Sequence, residues 1–306
     1  MSRQVWRVIA AVMAAGVVVS GCAGGPNQAG AAAIVGSEVL PMEQVQRQVQ
    51  VALSADKQLA RQRLAGYGGS ADGLAVRQVV TSAVRGELLE RAAAEQGIVV
   101  TDAQVDAAIA ERGGPEAVER SSLGSLADAR TEIRRELIAI ELGRRWIDRL
   151  AVTFDVAYAT SEEELQQKRQ QVLAGGPAAD AAFATGLAER GRVADGSSTT
   201  SARILTVVGG IEPGNLLVLY PQRLGDPWTL VRITDRRTDL TVAPGGQSAA
   251  ATAGDDLLYA IGVQMLRPLA ERLGVRTNPR YGVWDPLAMA VVDESMKSGE
   301  ILPIAR

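Results

Sequence analysis

Ser54 and Lys57 form an S-x-x-K pair, the spacing at which a lysine can activate a serine hydroxyl for nucleophilic attack. The sequence contains no histidine, and its one cysteine is Cys22. Ser-His-Asp and Cys-His catalysis both need an imidazole to accept a proton, so the composition excludes both. A lysine-activated serine is therefore the one covalent chemistry that this composition permits.

The rest of the sequence argues against that chemistry. Lys297-Ser298-Gly299 resembles the K-T-G motif of penicillin-binding enzymes, but no S-x-N motif lies between Ser54 and Lys297. The surrounding pattern places Ser54 in a regular helix as an exposed polar residue. We therefore predict no catalytic residue at this position.

Acidic pairs are the remaining candidates for a metal site or a glycosidase pair. Glu162-Glu163, Asp255-Asp256 and Asp293-Glu294 stand at predicted helix starts or in the C-terminal tail. Carboxylates at a helix start interact favourably with the helix dipole, so solvated caps explain these pairs. Sites built from His and Cys are excluded by composition, and there is no nucleotide-binding loop. The sequence therefore predicts no metal site and no cofactor.

The N-terminus has the features of an export signal. Arg3 and Arg7 precede an apolar run over 8–19, and Val19-Ser20-Gly21-Cys22 follows at once. This resembles a bacterial lipoprotein signal, cleaved before Cys22, whose thiol would carry a diacylglycerol. The run is shorter than the roughly 20 residues that a membrane span requires. We predict a signal peptide over 1–21, a flexible linker over 22–33, and lipid anchoring to the outer face of the cytoplasmic membrane.

Length and composition limit the other possibilities. With 306 residues, 47% of them hydrophobic, the chain can bury one or two cores. The net charge of −3 gives no basic field, so a nucleic-acid partner has no electrostatic support. One cysteine cannot form a disulfide within the chain, so the fold must be stabilised by packing.

The elements that would position these residues centre on the segment from Leu74 to Arg112. Its first part has apolar residues three and four apart and ends at Gly97, which predicts one amphipathic helix. Thr101 and Gln104 form a T-x-x-Q capping box that starts a second helix. Before this unit we predict a strand pair around Gly36-Ser37 and a helix from Pro41 to about Leu64; after it we predict a helix over 125–150.

The second half has a different pattern. We predict strands over 152–160, 202–208 and 228–234, with a helix between Ser161 and Leu173 that begins at an S-x-x-E capping box. The segment 238–254 is rich in Ala, Gly, Ser and Thr and is predicted to be a linker. A helix interrupted at Pro268 should then run from Asp255 to about Gly274.

ELLERAAAEQGIVVTDAQVDAAI resembles the SurA-type N-terminal domain of periplasmic chaperones and PrsA-like foldase lipoproteins. Residues 275–285, VRTNPRYGVWD, resemble the closing segment of exported SurA-like lipoproteins. The resemblance implies an α+β fold: a mainly helical chaperone domain over 34–151, completed by 255–290, with a small α/β domain inserted over 152–237. The remaining residues of 255–306 would form a tail.

VAYATSEEE and WTLVRITDRR loosely resemble the first and last strands of a parvulin peptidyl-prolyl isomerase domain. In that family each of these strands carries a histidine, and the resemblance implies that Asp155 and Thr229 stand at the two positions. Isomerisation must overcome a barrier of ~18 to 20 kcal/mol, and a domain without the polar core of the family should do so poorly. The resemblance therefore implies a non-catalytic parvulin-like domain.

These expectations together describe a membrane-anchored extracytoplasmic chaperone that holds unfolded or extended secreted polypeptides on apolar surface without ATP. The sequence does not identify the residues that bind these clients, nor the oligomeric state. The alternative is an envelope scaffold that docks one folded partner. Capture of a single stoichiometric partner, rather than many weak unfolded ones, would separate the two.

Overall fold

A computed structural model describes residues 30–64, 70–223, 226–242 and 245–305. The predicted signal peptide and Cys22 lie outside these residues. The chain has an α+β fold, as predicted, with a helical body and a five-stranded sheet. Within the described residues, no helix has the length and apolar character needed to cross a membrane.

The chain enters the fold through a β-hairpin. Strands β1 (Ala31–Val35) and β2 (Glu38–Pro41) pair antiparallel around Gly36, whose φ of 62° favours glycine. This confirms the predicted strand pair. All five residues of β1 are buried. Residues 31–33, predicted as the end of a flexible linker, therefore belong to the hairpin, and that part of the prediction is wrong.

The predicted single helix from Pro41 to Leu64 is two helices, α1 (Met42–Ala52) and α2 (Gln58–Leu64), joined by a 3₁₀ turn over Ala55–Lys57. Tertiary hydrogen bonds explain the break. Arg61 donates to the carbonyl oxygens of Ala52 and Ser54, at 2.8 and 2.7 Å, which satisfies groups left free at the end of α1. Periodicity alone could not reveal these bonds.

The central unit has the predicted form. Helix α3 (Ala71–Gln96) ends at Gly97, with φ at 63°, and α4 (Asp102–Glu111) starts at the capping box. The Gln104 amide donates to Thr101 Oγ1 at 3.3 Å, and the Thr101 amide donates to Gln104 Oε1 at 2.8 Å. Two further helices complete this part of the chain, α5 (Pro115–Ser121) and α6 (Leu126–Ile147).

The second half contains a five-stranded antiparallel sheet in the order β10-β5-β6-β3-β4. Helices α7, α8, α9 and α10 lie between its strands or after β6. The strands are β3 (Ala151–Ala159), β4 (Ala188–Ala194), β5 (Asn215–Leu219), β6 (Trp228–Arg237) and β10 (Gly299–Pro303). The helices are α7 (Glu162–Leu173), α8 (Gly176–Ala182), α9 (Thr199–Val208) and α10 (Ala249–Thr252).

The predicted strand over 202–208 is wrong, because these residues form the C-terminal part of α9. Ser198 caps the helix by accepting a hydrogen bond from the Ser201 amide at 3.1 Å. The buried residues Ala202, Leu205 and Val208 recur every three positions and so share one face of the helix. Strands β4, β5 and β10 were not predicted; β10 lies in the segment expected to be a tail.

The C-terminal part returns to the helical body. It contains helices α11 (Asp255–Met265) and α12 (Arg267–Leu273) and strands β7 (Val275–Thr277), β8 (Val283–Asp285) and β9 (Ala290–Val292). Strand β7 pairs with β1, and β8 pairs with β9. Tyr281 and Val291 are buried in the core of the helical body, and Trp284 packs against it.

Helix α11 links the two cores. Its Leu258 and Ile261 belong to the core under the sheet, whereas Val263 belongs to the core of the helical body. It crosses α6 at Gly262, where an added Cβ would lie 1.8 Å from the Ala139 carbonyl oxygen. The predicted linker 238–254 is partly ordered as α10, whose Ala249 amide donates to Asp148 at 2.7 Å.

Candidate functional site

The five-stranded sheet has two differently covered faces. One face packs against α7 and the residues after α8, including Phe183, and contains Ala157 and Leu230. The other packs against α9 and α11 and contains Val156 and Val231. Successive residues of a strand point to opposite faces, so each position in β3 and β6 has an assigned side.

Asp155 lies on the α7–α8 face and is 4% exposed. Its Oδ2 accepts hydrogen bonds from Arg232 Nη2 and Nε at 2.6 and 3.0 Å, and its Oδ1 accepts one from the Gly191 amide at 2.8 Å. The Arg232 guanidinium lies 4.8 Å from the ring centroid of Phe183 and pairs with Asp180 at 2.9 Å. Both oxygens of the Asp155 carboxylate therefore accept hydrogen bonds within this packed face of the sheet.

Thr229 lies on the other face. It is opposite Tyr158 in the β3–β6 ladder, whereas Asp155 is opposite Arg232. The two residues predicted at the histidine positions are therefore on opposite sides of the sheet and cannot belong to one prolyl site. Val156, the neighbour of Asp155, is the β3 residue that shares the face of Thr229, and a shift of one residue in an alignment is enough to change the face.

Thr229 lines a cleft of about 390 Å³ at one end of the sheet. This volume falls in the range of roughly 300 to 1,000 Å³ that is typical of ligand sites. The walls come from α9, the ends of β5 and β6, and two C-terminal segments. The lining residues include Thr206, Val207, Leu219, Tyr220, Pro221, Gln222, Asp226, Pro227, Thr229, Leu287 and Ser298.

An aromatic pair stands at the edge of the sheet beside the cleft, with both rings packed against the α7–α8 core. The Tyr220 and Trp228 rings are 5.5 Å apart between centroids and meet edge to face at 73°. The Tyr220 hydroxyl donates to Glu300 at 2.6 Å, and Glu300 pairs with Arg169 at 2.7 Å. Burial and the adjacent Glu300 carboxylate raise the pKa of Tyr220 to about 12. The phenol is therefore protonated at neutral pH and cannot act as a base there.

The cleft offers binding groups rather than a nucleophile with its base. Its lining side chains are mostly aliphatic, aromatic or proline, with Gln222, Asp226 and three hydroxyls from Thr206, Thr229 and Ser298. Asp226 already accepts a hydrogen bond from the Arg223 amide at 3.0 Å. Such a surface can bury apolar side chains and hydrogen-bond a peptide backbone.

The structure does not assemble Ser54 and Lys57 into a catalytic pair. Lys57 is 4% exposed, and its Nζ donates to the Glu119 carbonyl oxygen at 2.8 Å, which ties the 3₁₀ turn to α5. The Ser54 hydroxyl lies 2.5 Å from Asp56 Oδ1, a contact that lowers the pKa of Asp56. Ser54 precedes the 3₁₀ turn, so its predicted placement in a regular helix is wrong.

The acidic pairs lie at element starts. Glu162 and Glu163 are in the first turn of α7, and Asp255 and Asp256 are in the first turn of α11. Asp293 caps a 3₁₀ turn, and its hydrogen bonds from Ser295 lower its pKa. In the part of the chain that the structure describes, no group of three or more acidic, His or Cys side chains could hold a metal ion.

The helical body offers less open apolar surface than the sequence suggested. The space among α1, α3 and α6 is filled by α12, Tyr281, Met289 and Val291. Exposed apolar residues remain at the break between α1 and α2, where Val51, Leu53 and Leu59 are solvent-accessible. The cleft was not predicted from the sequence. The local signal that was missed is two pairs of an aromatic residue and a proline, Tyr220-Pro221 and Pro227-Trp228.

The first part of the chain resembles a known protein family. Residues 2–113 match the model described as the SurA-like N-terminal domain, so this part of the chain is SurA-like. No curated protein matches the chain. Among solved structures, the chain is similar to the foldase protein PrsA from Streptococcus pneumoniae str. Canada MDR_19A, with 13% identity over 80% of this chain and 94% of that chain. The TM-score of this match is 0.24.

Proposed function

We propose that this protein is an extracytoplasmic chaperone that holds unfolded or extended segments of secreted polypeptides without ATP. Its SurA-like N-terminal domain, matched over residues 2–113, supports the chaperone class. The cleft at the end of the five-stranded sheet is the single observation that carries the binding mechanism. It is apolar, open to solvent and large enough for two or three side chains of an extended segment.

Binding in this cleft would be driven by burial of client side chains. Val207, Leu219 and Leu287 supply aliphatic walls, and Pro221 and Pro227 supply rigid apolar ones. The hydroxyls of Thr229 and Ser298 are in reach of a peptide backbone that lies along the walls. Release needs only dissociation, because each contact is weak and the buried area is small.

We propose that the sheet domain is parvulin-like but lacks prolyl isomerase activity. The chain has no histidine, and Asp155, one of the two positions implied by the resemblance, is saturated by Arg232 on the opposite face from the cleft. A prolyl segment in the cleft would meet apolar walls and hydroxyls. A protease-coupled isomerase assay should show no turnover above the uncatalysed rate, and clear turnover would contradict this part of the proposal.

The proposed location is the outer face of the cytoplasmic membrane, with a diacylglycerol on Cys22. Strand β1 starts at Ala31, nine positions after Cys22. Metabolic labelling with a radioactive fatty acid tests the anchor. Label on the wild-type chain and none on Cys22→Ala is the expected result, and an unlabelled wild-type chain would contradict it.

The holding function can be tested by suppression of aggregation of a chemically unfolded model protein, followed by light scattering. Wild-type protein should suppress scattering in proportion to its concentration. Val207→Arg places a charge in the cleft wall and should remove most of this effect. Val193→Arg is the matched control, because Val193 is an exposed valine of β4 that does not line the cleft; the exposed fractions of the two valines are 37% and 50%.

Two results would contradict the proposal. Absence of suppression by the wild-type protein at molar excess would remove the holding function, and equal loss in both variants would remove the cleft as its site. Recovery of one folded partner at fixed stoichiometry, with no binding of unfolded chains, would instead support the alternative of an envelope scaffold.

A further inference from the structure

The cleft wall at Leu287 is held between two fully buried charged residues. The Leu287 amide donates to Asp285 Oδ1 at 2.8 Å, and the Leu287 carbonyl oxygen accepts a hydrogen bond from Arg267 Nη2 at 3.1 Å. Arg267 and Asp285 are both 0% exposed. Arg267 therefore holds the carbonyl oxygen of Leu287 and Asp285 holds its amide, so the backbone of this one residue of the cleft wall is fixed at both groups.

Arg267 also contacts the facing wall. Its Nη1 donates to the Val207 carbonyl oxygen at 3.4 Å, and Val207 lines the cleft from α9. Its Nη2 donates to the side chain of Gln264, whose Nε2 lies 3.4 Å from the Leu287 carbonyl oxygen. One guanidinium thus fixes the backbone of two cleft walls relative to helices α11 and α12.

Asp285 holds the third wall. Its Oδ2 accepts a hydrogen bond from the Ser298 amide at 2.6 Å, and Ser298 lines the cleft. The Ala288 amide also donates to Oδ1, at 3.2 Å. One carboxylate therefore fixes both the loop after β8 and the residue that precedes β10.

Placing these two charged side chains in the core costs free energy, because burial removes them from water. Burial lowers the pKa of Arg267 to about 10, against the favourable fields of Glu271 and Asp285. Apolar residues of similar volume often replace buried ion pairs without loss of stability, so packing alone does not account for the two charges. Charged groups do offer strong, directional hydrogen bonds to backbone groups, which is the property needed to fix a wall in place.

We propose that Arg267 and Asp285 are positioning residues that set the width of the cleft by holding the backbone of Val207, Leu287 and Ser298. Their role in client affinity rests on the proposed function of the cleft. Their role in fixing the walls does not, and the two can be measured separately.

The test uses Arg267→Met, Asp285→Asn and Arg267→Lys in the otherwise complete chain. Arg272→Met is the matched control, because Arg272 lies on the same helix and pairs with Glu95 at 2.7 Å at an exposed site. Amide hydrogen exchange is followed at Leu287, Ala288 and Ser298 and, as an internal reference, at the centre of β3 and β6. Affinity is measured with fluorescein-labelled, reduced and carboxymethylated α-lactalbumin, which is permanently unfolded.

Arg267→Met and Asp285→Asn should each raise exchange at the cleft walls at least tenfold while leaving β3 and β6 unchanged, and each should lower affinity at least fivefold. Arg267→Lys keeps the charge and one donor group, so its rise in exchange and its loss of affinity should both be smaller than those of Arg267→Met. It also provides a measurement at this position if Arg267→Met folds poorly. Arg272→Met should change neither measurement.

Unchanged exchange at the cleft walls in Asp285→Asn and Arg267→Met would overturn the proposal. Faster exchange with unchanged affinity would also overturn it, because the held walls would then not determine binding. If wild-type protein binds no unfolded probe but exchange rises as expected, the proposed client-binding function fails while the fixing of the walls stands.

Discussion

The two faces of the five-stranded sheet use buried charge in opposite ways. On the α7–α8 face, Asp155 and Arg232 bond to each other directly, at 2.6 Å, and the surrounding side chains close over them. On the α9 face, Asp285 and Arg267 are joined through the backbone at Leu287. The first arrangement is complete in itself, whereas the second leaves the side chain of Leu287 free to line a cleft.

This difference shows why residue type along a strand does not identify a site. Asp155 is the conspicuous polar residue of β3, but it points to the closed face. The cleft side of β3 presents Val156 and Tyr158, neither of which carries a carboxylate or an amine. The polar groups that matter for the cleft come instead from the end of β8 and from α12.

Among the variants that test the difference between the two faces, Asp155→Ala should cause the largest loss of stability. The substitution leaves Arg232 buried without its main partner, and breaking one side of a buried pair costs about 3 to 5 kcal/mol. Urea unfolding should show this loss, while affinity for an unfolded probe, measured where the variant is folded, should not change. A loss of affinity without a loss of stability would mean that the closed face takes part in binding.

Asp180→Ala is the control for that variant. Asp180 also pairs with Arg232, at 2.9 Å, but its side chain is 56% exposed. Exposed pairs contribute about 0 to 1 kcal/mol, so this variant should unfold close to the wild-type midpoint. Equal destabilisation by both variants would contradict the distinction between the buried and the exposed partner.

A smaller effect is expected from Gly262→Ala, which disturbs the cover of the cleft face. The new Cβ would meet the Ala139 carbonyl oxygen of α6, so α11 must move away and shift Leu258 and Ile261 under the sheet. Overpacking of this kind costs about 1 to 3 kcal/mol in thermal or urea unfolding. Gly254→Ala is the control, since its Cβ would meet no atom within 4 Å and its φ is −70°.

Local signals in the sequence were enough for α3 and α4. Gly97 and the Thr101–Gln104 box act within one turn of chain, so their effect could be deduced from the residues alone. Helix α9 was predicted as a strand because Thr, Ile and Val favour strands, and here a helix cap and packing override that preference. Its three-residue spacing of buried positions was the missed signal.

The cleft could not be predicted for a different reason. Its walls come from four separate parts of the chain, and β10 becomes a strand only because it pairs with β5. Arg267 and Asp285 stand in segments that are unremarkable in sequence, at the residue before Pro268 and at the last residue of β8. Arg267 contacts Val207, 60 positions away, and Leu287, 20 positions away. Asp285 contacts Leu287 and Ser298, 2 and 13 positions away, and these contacts depend on how the folded chain brings the segments together.

Tyr220→Phe should have a modest effect that reports on the α7–α8 side of the sheet, where the Tyr220 ring packs. The substitution removes the hydrogen bond to Glu300 but leaves the ring packed on Trp228 and leaves Arg169 to pair with the carboxylate. One lost hydrogen bond corresponds to about 1 kcal/mol in urea unfolding. A loss several times larger would show that the β5–β10 edge, and not the packing of α7, determines the stability of this face.

The last prediction concerns the pH dependence of stability at the same residue. The pKa of Tyr220 is raised to about 12 in the folded chain from an ordinary value near 10, first by burial and then by Glu300. A group with a raised pKa binds its proton more tightly in the folded state, so its stabilising effect is complete below pH 10 and is lost as the pH rises from about 10 to 12. Wild-type stability should therefore fall more steeply than that of Tyr220→Phe in this range. Absorbance at the phenolate band should differ between wild type and Tyr220→Phe only above pH 11, where the variant has one tyrosine fewer to titrate. Identical stability curves would mean that Tyr220 is open to water on the α7–α8 side of the sheet.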